Sequence, residues 1–323
     1  MGQHIAKRIR VMVVDDSPLS QKLYRHIIGE DSRFELVYAA SSGKEALDML
    51  GRLKPDVVSM DINMPGMDGV ETTRRIMQEH PVPIVVASEL YQPDRQEMAM
   101  NVLQAGAVSI MPKPNGPGHP AFALSSRRYL NMLKSMSEVK VVRRRIQSAD
   151  SRPVYTPSPV AANQTSRKYK MIVIGASAGG PESLKAIFSG LSQQIAVPIL
   201  LVQHIDPHFT EGFCLWLNSF SVLPLQMAVD QQQLLPGHIY LAPGGSHMVL
   251  ASEDRIRLTR TPPEKGHRPS VSQLFSSALD VCQGDLIAVM LSGMGSDGAA
   301  EMKQLYERGA LTRLMKIKDV VRA

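Results

Sequence analysis

Cysteine is almost missing from this chain. Cys214 and Cys282 are the only two in 323 residues, too few for a disulfide framework, which fits a reducing cytoplasm. Long apolar runs are missing too. Nothing approaches the roughly 18 residues needed to span a bilayer. No apolar leader precedes the first strand pattern, and MGQHIA carries Ala6 where a myristoylation signal has Ser or Thr. No repeat of short period is visible. These absences describe a soluble intracellular protein with reducible thiols and no lipid anchor.

A folded basic surface is also lacking, despite a net charge of +6. From Arg127 to Lys170 eleven Lys/Arg face only Glu138 and Asp150, so this segment carries +9 and the rest of the chain −3. The excess belongs to a helix face running into a connector, SADSRPVYTPSPVAANQTSRK, that is rich in Ser, Pro and Ala. No nucleic-acid partner is expected. A response regulator with a nucleic-acid output would need a helix-turn-helix or a basic folded domain, and the second half has neither.

What is present is α/β patterning, twice. RIRVMVV, FELVYAA, DVVSM, PIVVAS and AVSIM read as buried parallel strands, with amphipathic helices such as Ser41–Leu53 and Gly69–Glu79 between them. A further helix around Pro120–Lys140 follows. From Tyr169 a second α/β unit starts: MIVIG, a helix from Gly180, VPILLVQH and a helix from Phe209. A β-rich insert (LQMAV, HIYLAP, HMVLAS, RIRLTR) comes next, then the helix SVSQLFSSALDVC, the strand LIAVMLSG and a helix from Ser296. The expectation is two doubly wound parallel-sheet domains, the first flavodoxin-like and the second Rossmann-like with the insert. The boundaries are 1–125, a basic helix extension and linker over 126–168, and 169–323.

In a parallel sheet the strand carboxyl ends share one side, where ligands bind. In the first unit those ends carry Asp15, Asp16, Asp61, Ser88 and Lys113. Close carboxylates repel unless a hard cation sits among them, and Mg²⁺ suits such an oxygen-rich site. A metal-held carboxylate opposite a lysine is arranged to accept a phosphoryl group. Asp at a strand end also caps helices, which remains the plain reading of Asp15 or Asp16 alone.

Residues 9 to 125 resemble a response-regulator receiver domain. The resemblance implies Asp61 in DINMPGMDG as phospho-acceptor, Ser88 and Lys113 as switch residues, and Asp15, Asp16, Asp61 and Asn63 as Mg²⁺ ligands. The family usually has an aromatic three residues before the lysine; here Ile110 stands there.

In the second unit MIVIGASAGGPESL poses a choice between a phosphate loop and a nucleophile turn. Ser177 occupies the place of the second glycine in a dinucleotide fingerprint, and no Gly-Lys-Ser/Thr follows for a P-loop. G-x-S-x-G does match, from Gly175 to Gly179. A serine nucleophile needs a base and an orienting acid, and His204 and Asp297 stand at two further strand ends. Singly, the turn could be plain connection, His204 a loop histidine and Asp297 an N-cap. His204 and His208 have H-x-x-x-H spacing without a third ligand, so zinc is not expected. His208, His238 and His267 read as loop histidines without a catalytic neighbour. His247 and GHRPS, residues 266 to 270, are candidates for a cleft mouth.

Residues 169 to 310 resemble the catalytic domain of the chemotaxis protein-glutamate methylesterase (CheB) family, through IGASAGG, QHIDPHFTEGF, IYLAPGGSHM, HRPSVSQLF and LSGMGSDGA. The resemblance implies Ser177 as nucleophile, His204 as general base and then acid, Asp297 as orienter, and backbone N–H groups near Ala178 and Met294 as oxyanion donors. It further implies methyl-accepting chemotaxis receptors as substrate, met peripherally at membrane arrays, and a chemotaxis histidine kinase as phosphodonor. The esterase needs no cofactor of its own. In the family the unphosphorylated receiver inhibits the esterase. Beyond Gly309, LTRLMKIKDVVRA does not resemble the family's continuation. That predicts a short basic strand near Leu311 in an apparently C-terminally truncated, less stable domain. The alternative function is an impaired member acting only as a phosphorylatable regulator.

Overall fold

The structure is a computed structural model and describes residues 7–89, 94–139, 141, 168–177, 179–291 and 296–315. The chain divides into two compact units, Met1–Arg144 and Arg145–Ala323. No helix among the described residues is long and apolar enough to cross a membrane.

In the first unit β1 (Ile9–Val14), β2 (Phe34–Ala40), β3 (Val57–Met60), β4 (Ile84–Ser88) and β5 (Ser109–Pro112) form one parallel sheet in the order β2-β1-β3-β4-β5. Its central strands are apolar on both faces and buried on both, as helices on each side require. Those helices are α1 (Pro18–Gly29), α2 (Gly43–Leu53), α3 (Gly69–Glu79), α4 (Asp94–Ala105) and α5 (Phe122–Ser137). Ser17, Ser42 and Asp68 cap the first three through their side-chain oxygens. The Ser42 cap explains why α2 begins at Gly43 and not at Ser41. Strand order reverses between β1 and β3, so the ends carrying Asp15 and Asp61 flank the switch point.

The second unit holds a six-stranded parallel sheet of β6 (Met171–Ala176), β7 (Ile199–Gln203), β8 (Leu225–Met227), β9 (Ile239–Leu241), β12 (Leu286–Leu291) and β13 (Leu311–Met315). Its order is β13-β12-β6-β7-β9-β8. Two of the four strands expected in the insert therefore extend the main sheet. Ile239, Tyr240 and Leu241 are wholly buried, which a three-residue strand reaches only inside a sheet. β10 (His247–Ser252) and β11 (Arg255–Thr259) alone form a separate antiparallel pair. The helices are α6 (Gly180–Ser189), α7 (Thr210–Asn218), α8 (Val271–Cys282) and α9 (Ala299–Glu307). α8 packs Leu274, Phe275, Ala278 and Cys282 into the core formed with β6, β10 and β12. The short strand expected near Leu311 is β13, paired with β12 over five registered positions.

Close approach of α8 to β6 decides one residue. A Cβ at Gly175 would fall within the van der Waals envelope of both Val271 methyl groups, and a β-branched side chain cannot swing away. Gly175→Ala is expected to destabilise the second unit by about 1–3 kcal/mol. Thermal melts of the full chain should show the later loss confined to one transition. An unchanged melt would contradict the packing.

Candidate functional site

The carboxyl ends of β6, β7 and β12 are neighbours. Ala176 pairs in register with Gln203 on one side and Leu291 on the other. Ser177 and His204 directly follow the first of those pairs, and the His204 N–H donates to the Ala176 carbonyl at 2.8 Å. Gln203 is buried, and its side-chain amide donates to the Ser177 and His204 carbonyls, both at 2.9 Å. It thereby ties the two loop starts together. Gly179, at φ 70, then turns the chain into α6. Sequence reading passed over Gln203, because a glutamine at a strand end announces nothing until its partners are known.

Asp297 comes from the turn ahead of α9 and lies buried against the start of α8. His204 Nε2 bonds its Oδ2 at 2.8 Å. The Val271 N–H donates to the same oxygen at 2.7 Å, while Ser270 Oγ and the Ser272 N–H donate to Oδ1 at 2.8 and 2.9 Å. A carboxylate with four donors is a fixed anion, not a spare helix cap. Burial alone would raise this carboxyl, but the bonds from His204, the Ser272 backbone and Ser270 hold it well below the usual carboxylate range. His204 Nδ1 is buried and without a hydrogen-bond partner among the described residues. With Nε2 committed to Asp297, Nδ1 is the nitrogen left for another proton. Ala178 and Met294, the expected oxyanion donors, lie outside the described residues.

The remaining histidines depart from expectation in two places. His247 is fully buried with Nε2 on the Pro262 carbonyl at 3.2 Å, so it braces a loop and lines no open mouth. His267 does lie beside a candidate site residue, His204. Its ring lies flat on His204, with centroids 3.8 Å apart. Only tertiary packing could reveal this, since 62 residues separate the two. His208 points to Asp206 at 2.7 Å on an exposed turn.

Burial, and then His204 beside it, pushes the His267 imidazole down to about 4, against a smaller pull from Asp297. An unfolded histidine titrates near 6.5, so below about pH 6.5 the unfolded chain takes up a proton that the folded one refuses. This stability is complete above pH 6.5 and is lost as the pH falls toward 4. Urea midpoints of the second unit should drop between pH 7 and 4.5, and His267→Phe should flatten that slope. Equal slopes in both proteins would contradict it.

In the first unit Lys113 Nζ bonds Asp15 Oδ2 and Asp61 Oδ2, both at 2.8 Å. Burial would lower this ammonium, but the two carboxylates raise it and keep it charged. Burial pushes the Asp61 carboxyl up, Lys113 pulls it down and Asp15 pushes it up again. Oxygens of Asp15, Asp16 and Asp61 all lie within 4.8 Å of one another. Excess negative charge around one shared lysine fits a divalent cation bound by oxygen. Asn63 follows on the same loop, half-buried. Ser88 is buried next in register, its Oγ without a hydrogen-bond partner among the described residues.

Comparisons with known proteins match each of the two units to a family. A family model described as CheB methylesterase matches residues 172–319, and one described as response regulator receiver domain matches 11–120. The chain is 45% identical over 303 residues to protein-glutamate methylesterase/protein-glutamine glutaminase 3 of Hahella chejuensis, covering 94% of this chain and 86% of that one. It is 41% identical over 305 residues to protein-glutamate methylesterase/protein-glutamine glutaminase 4 of Geobacter metallireducens, covering 94% and 87%. Against the protein-glutamate methylesterase/protein-glutamine glutaminase of Nitrosospira multiformis, identity is 40% over 304 residues, covering 94% and 86%.

Proposed function

The chain belongs to the protein-glutamate methylesterase/protein-glutamine glutaminase family, and we propose that it hydrolyses glutamate methyl esters on chemoreceptors under the control of a phosphorylated receiver, with Ser177, His204 and Asp297 as its triad. Receptor glutamine amides are its second substrate. What supports the triad most is Asp297, whose four donors fix it against the edge of His204.

Ser177 Oγ attacks the γ-carbonyl carbon of the substrate while His204 Nδ1 takes the hydroxyl proton. The imidazolium that forms keeps its Nε2–H on Asp297, whose negative charge stabilises it. The tetrahedral oxyanion needs N–H donors, for which the backbone N–H groups near Ala178 and Met294 are the candidates. As the tetrahedral state collapses, His204 returns the proton to the leaving oxygen, and methanol departs from a glutamyl-serine ester. Water, deprotonated by His204, then cleaves that ester, leaving a glutamate carboxylate and free Ser177. With an amide substrate the same steps release ammonia.

Asp61 takes the phosphoryl group, delivered by a chemotaxis histidine kinase. Mg²⁺ would be held by Asp15, Asp16, Asp61 and Asn63 and would neutralise charge on the transferring oxygens. Lys113 supplies the second positive charge, and Ser88 Oγ is the hydroxyl free to meet the new phosphoryl group. Phosphorylation raises esterase activity. An esterase domain over 169–323 and a linker ahead of it belong to this reading, with the receiver limit moved past 125 to include α5, whose Tyr129, Leu130, Leu133 and Met136 are buried in the first unit. Acid-labile labelling of the full chain by a small phosphodonor, followed by methanol release from methylated receptor membranes, tests both halves in one preparation.

A further inference from the structure

The His267 ring is parallel to that of His204, within 1°, at 3.8 Å between centroids. Hydrogen bonds to an imidazole nitrogen lie in the plane of its ring. Two rings stacked face to face therefore cannot pass a proton directly to each other, and His267 meets His204 through its face. Among the described residues the one hydrogen bond of the His204 ring is at its edge, through Nε2 on Asp297. A single edge bond leaves the ring free to tilt about it, and tilting moves Nδ1. A flat neighbour against the face removes that freedom.

The loop carrying His267 is braced as such a platform needs. Arg268 Nη1 donates to the Arg260 and Thr261 carbonyls, and His247 holds Pro262. The Glu264 and His267 backbones exchange two hydrogen bonds. Gln273 Nε2 donates to Glu264 at 2.5 Å, joining the loop to α8. Lys265 Nζ reaches Ser272 Oγ at 3.1 Å and the Ser296 carbonyl, next to Asp297, at 3.0 Å. One loop thus anchors both the acid's turn and the ring that covers the base.

We propose that His267 is a positioning residue, whose ring holds the His204 imidazole in the plane that serves both Asp297 and Ser177. This rests on the triad reading above. The low proton affinity of His267 suits the task, because a neutral ring does not repel the imidazolium formed during attack. The charged groups around it are otherwise engaged: Asp297 by its donors, Lys265 on Ser272 and Ser296, Arg268 on carbonyls and Glu264 on Gln273.

The test uses the full chain, phosphorylated, with methanol release from methylated receptor membranes as the readout. His267→Ala should lower kcat about tenfold or more with KM within about twofold, since small misplacement of a base costs rate rather than binding. His267→Phe, which keeps a flat ring without nitrogens, should restore kcat to within about threefold of the parent. A parent-like kcat in the Ala variant overturns the proposal, as does a Phe variant as slow as Ala or a loss carried by KM alone. Thermal melts establish that each variant folds. If the Ala variant does not fold, the folded Phe variant decides: parent-like kcat supports positioning, and a tenfold loss overturns it. Ser177→Ala runs alongside. A parent no faster than Ser177→Ala refutes the hydrolase reading itself, whereas an active parent with a fast His267→Ala refutes only this inference.

Discussion

Ser177→Ala is expected to lower ester hydrolysis by roughly four to six orders of magnitude while leaving phosphorylation of Asp61 intact. The size follows from the mechanism, because without Oγ no acyl-enzyme forms and what survives is water attack in a polarising cleft. His204→Gln should be similarly damaging, since the buried Asp297 carboxylate would then face a neutral amide in place of a ring that can carry charge. His208→Gln should change kcat less than about threefold, as its partner Asp206 lies on an exposed turn outside the triad. Stopped assays of methanol release on the three variants would check this. Equal losses for His204→Gln and His208→Gln would mean that the base is misassigned.

Asp61→Asn is expected to abolish labelling by a small phosphodonor and, with it, any phosphodonor-dependent rise in esterase rate. An amide cannot accept the phosphoryl group, and it also removes one of the three carboxylates clustered for a cation. Chelating Mg²⁺ in the unsubstituted chain should prevent labelling just as fully, because among the described residues Lys113 alone would pair with Asp15 and Asp61. Lys113→Ala differs: it should permit some labelling yet weaken the coupling to hydrolysis. Acid-labile phosphate retained on Asp61→Asn would place the acceptor elsewhere.

How far the sequence led depended on how local each feature is. Asp15, Asp61, Ser88 and Lys113 were legible because each ends a buried strand, and parallel pairing brings such ends together whatever the helices do. Ser177, His204 and Asp297 were singled out as candidates by the same logic, the first two directly following the paired ends of β6 and β7. β8 and β9 were assigned to the insert because three-residue strands carry little pattern of their own. Their place beside β7 depends on pairing across many residues. Gln203 was missed for a related reason, and His267 and Ser270 were marked only within GHRPS as a candidate cleft mouth. Each meets, through its side chain, a residue that is remote in sequence or whose partners only the fold supplies, and the start of α8 lies against Asp297. Ser270 illustrates the overlap, since its Oγ both caps α8 at Gln273 and donates to Asp297.

Comparing methanol release from methylated receptor membranes with and without a phosphodonor tests the central claim most directly, using the full chain and its Ser177→Ala variant. The account predicts release by the full chain that rises on phosphorylation and is absent in the variant. Phosphate on Asp61 with methanol release no greater than that of Ser177→Ala would contradict it, and would leave the chain a phosphorylatable regulator without hydrolase activity.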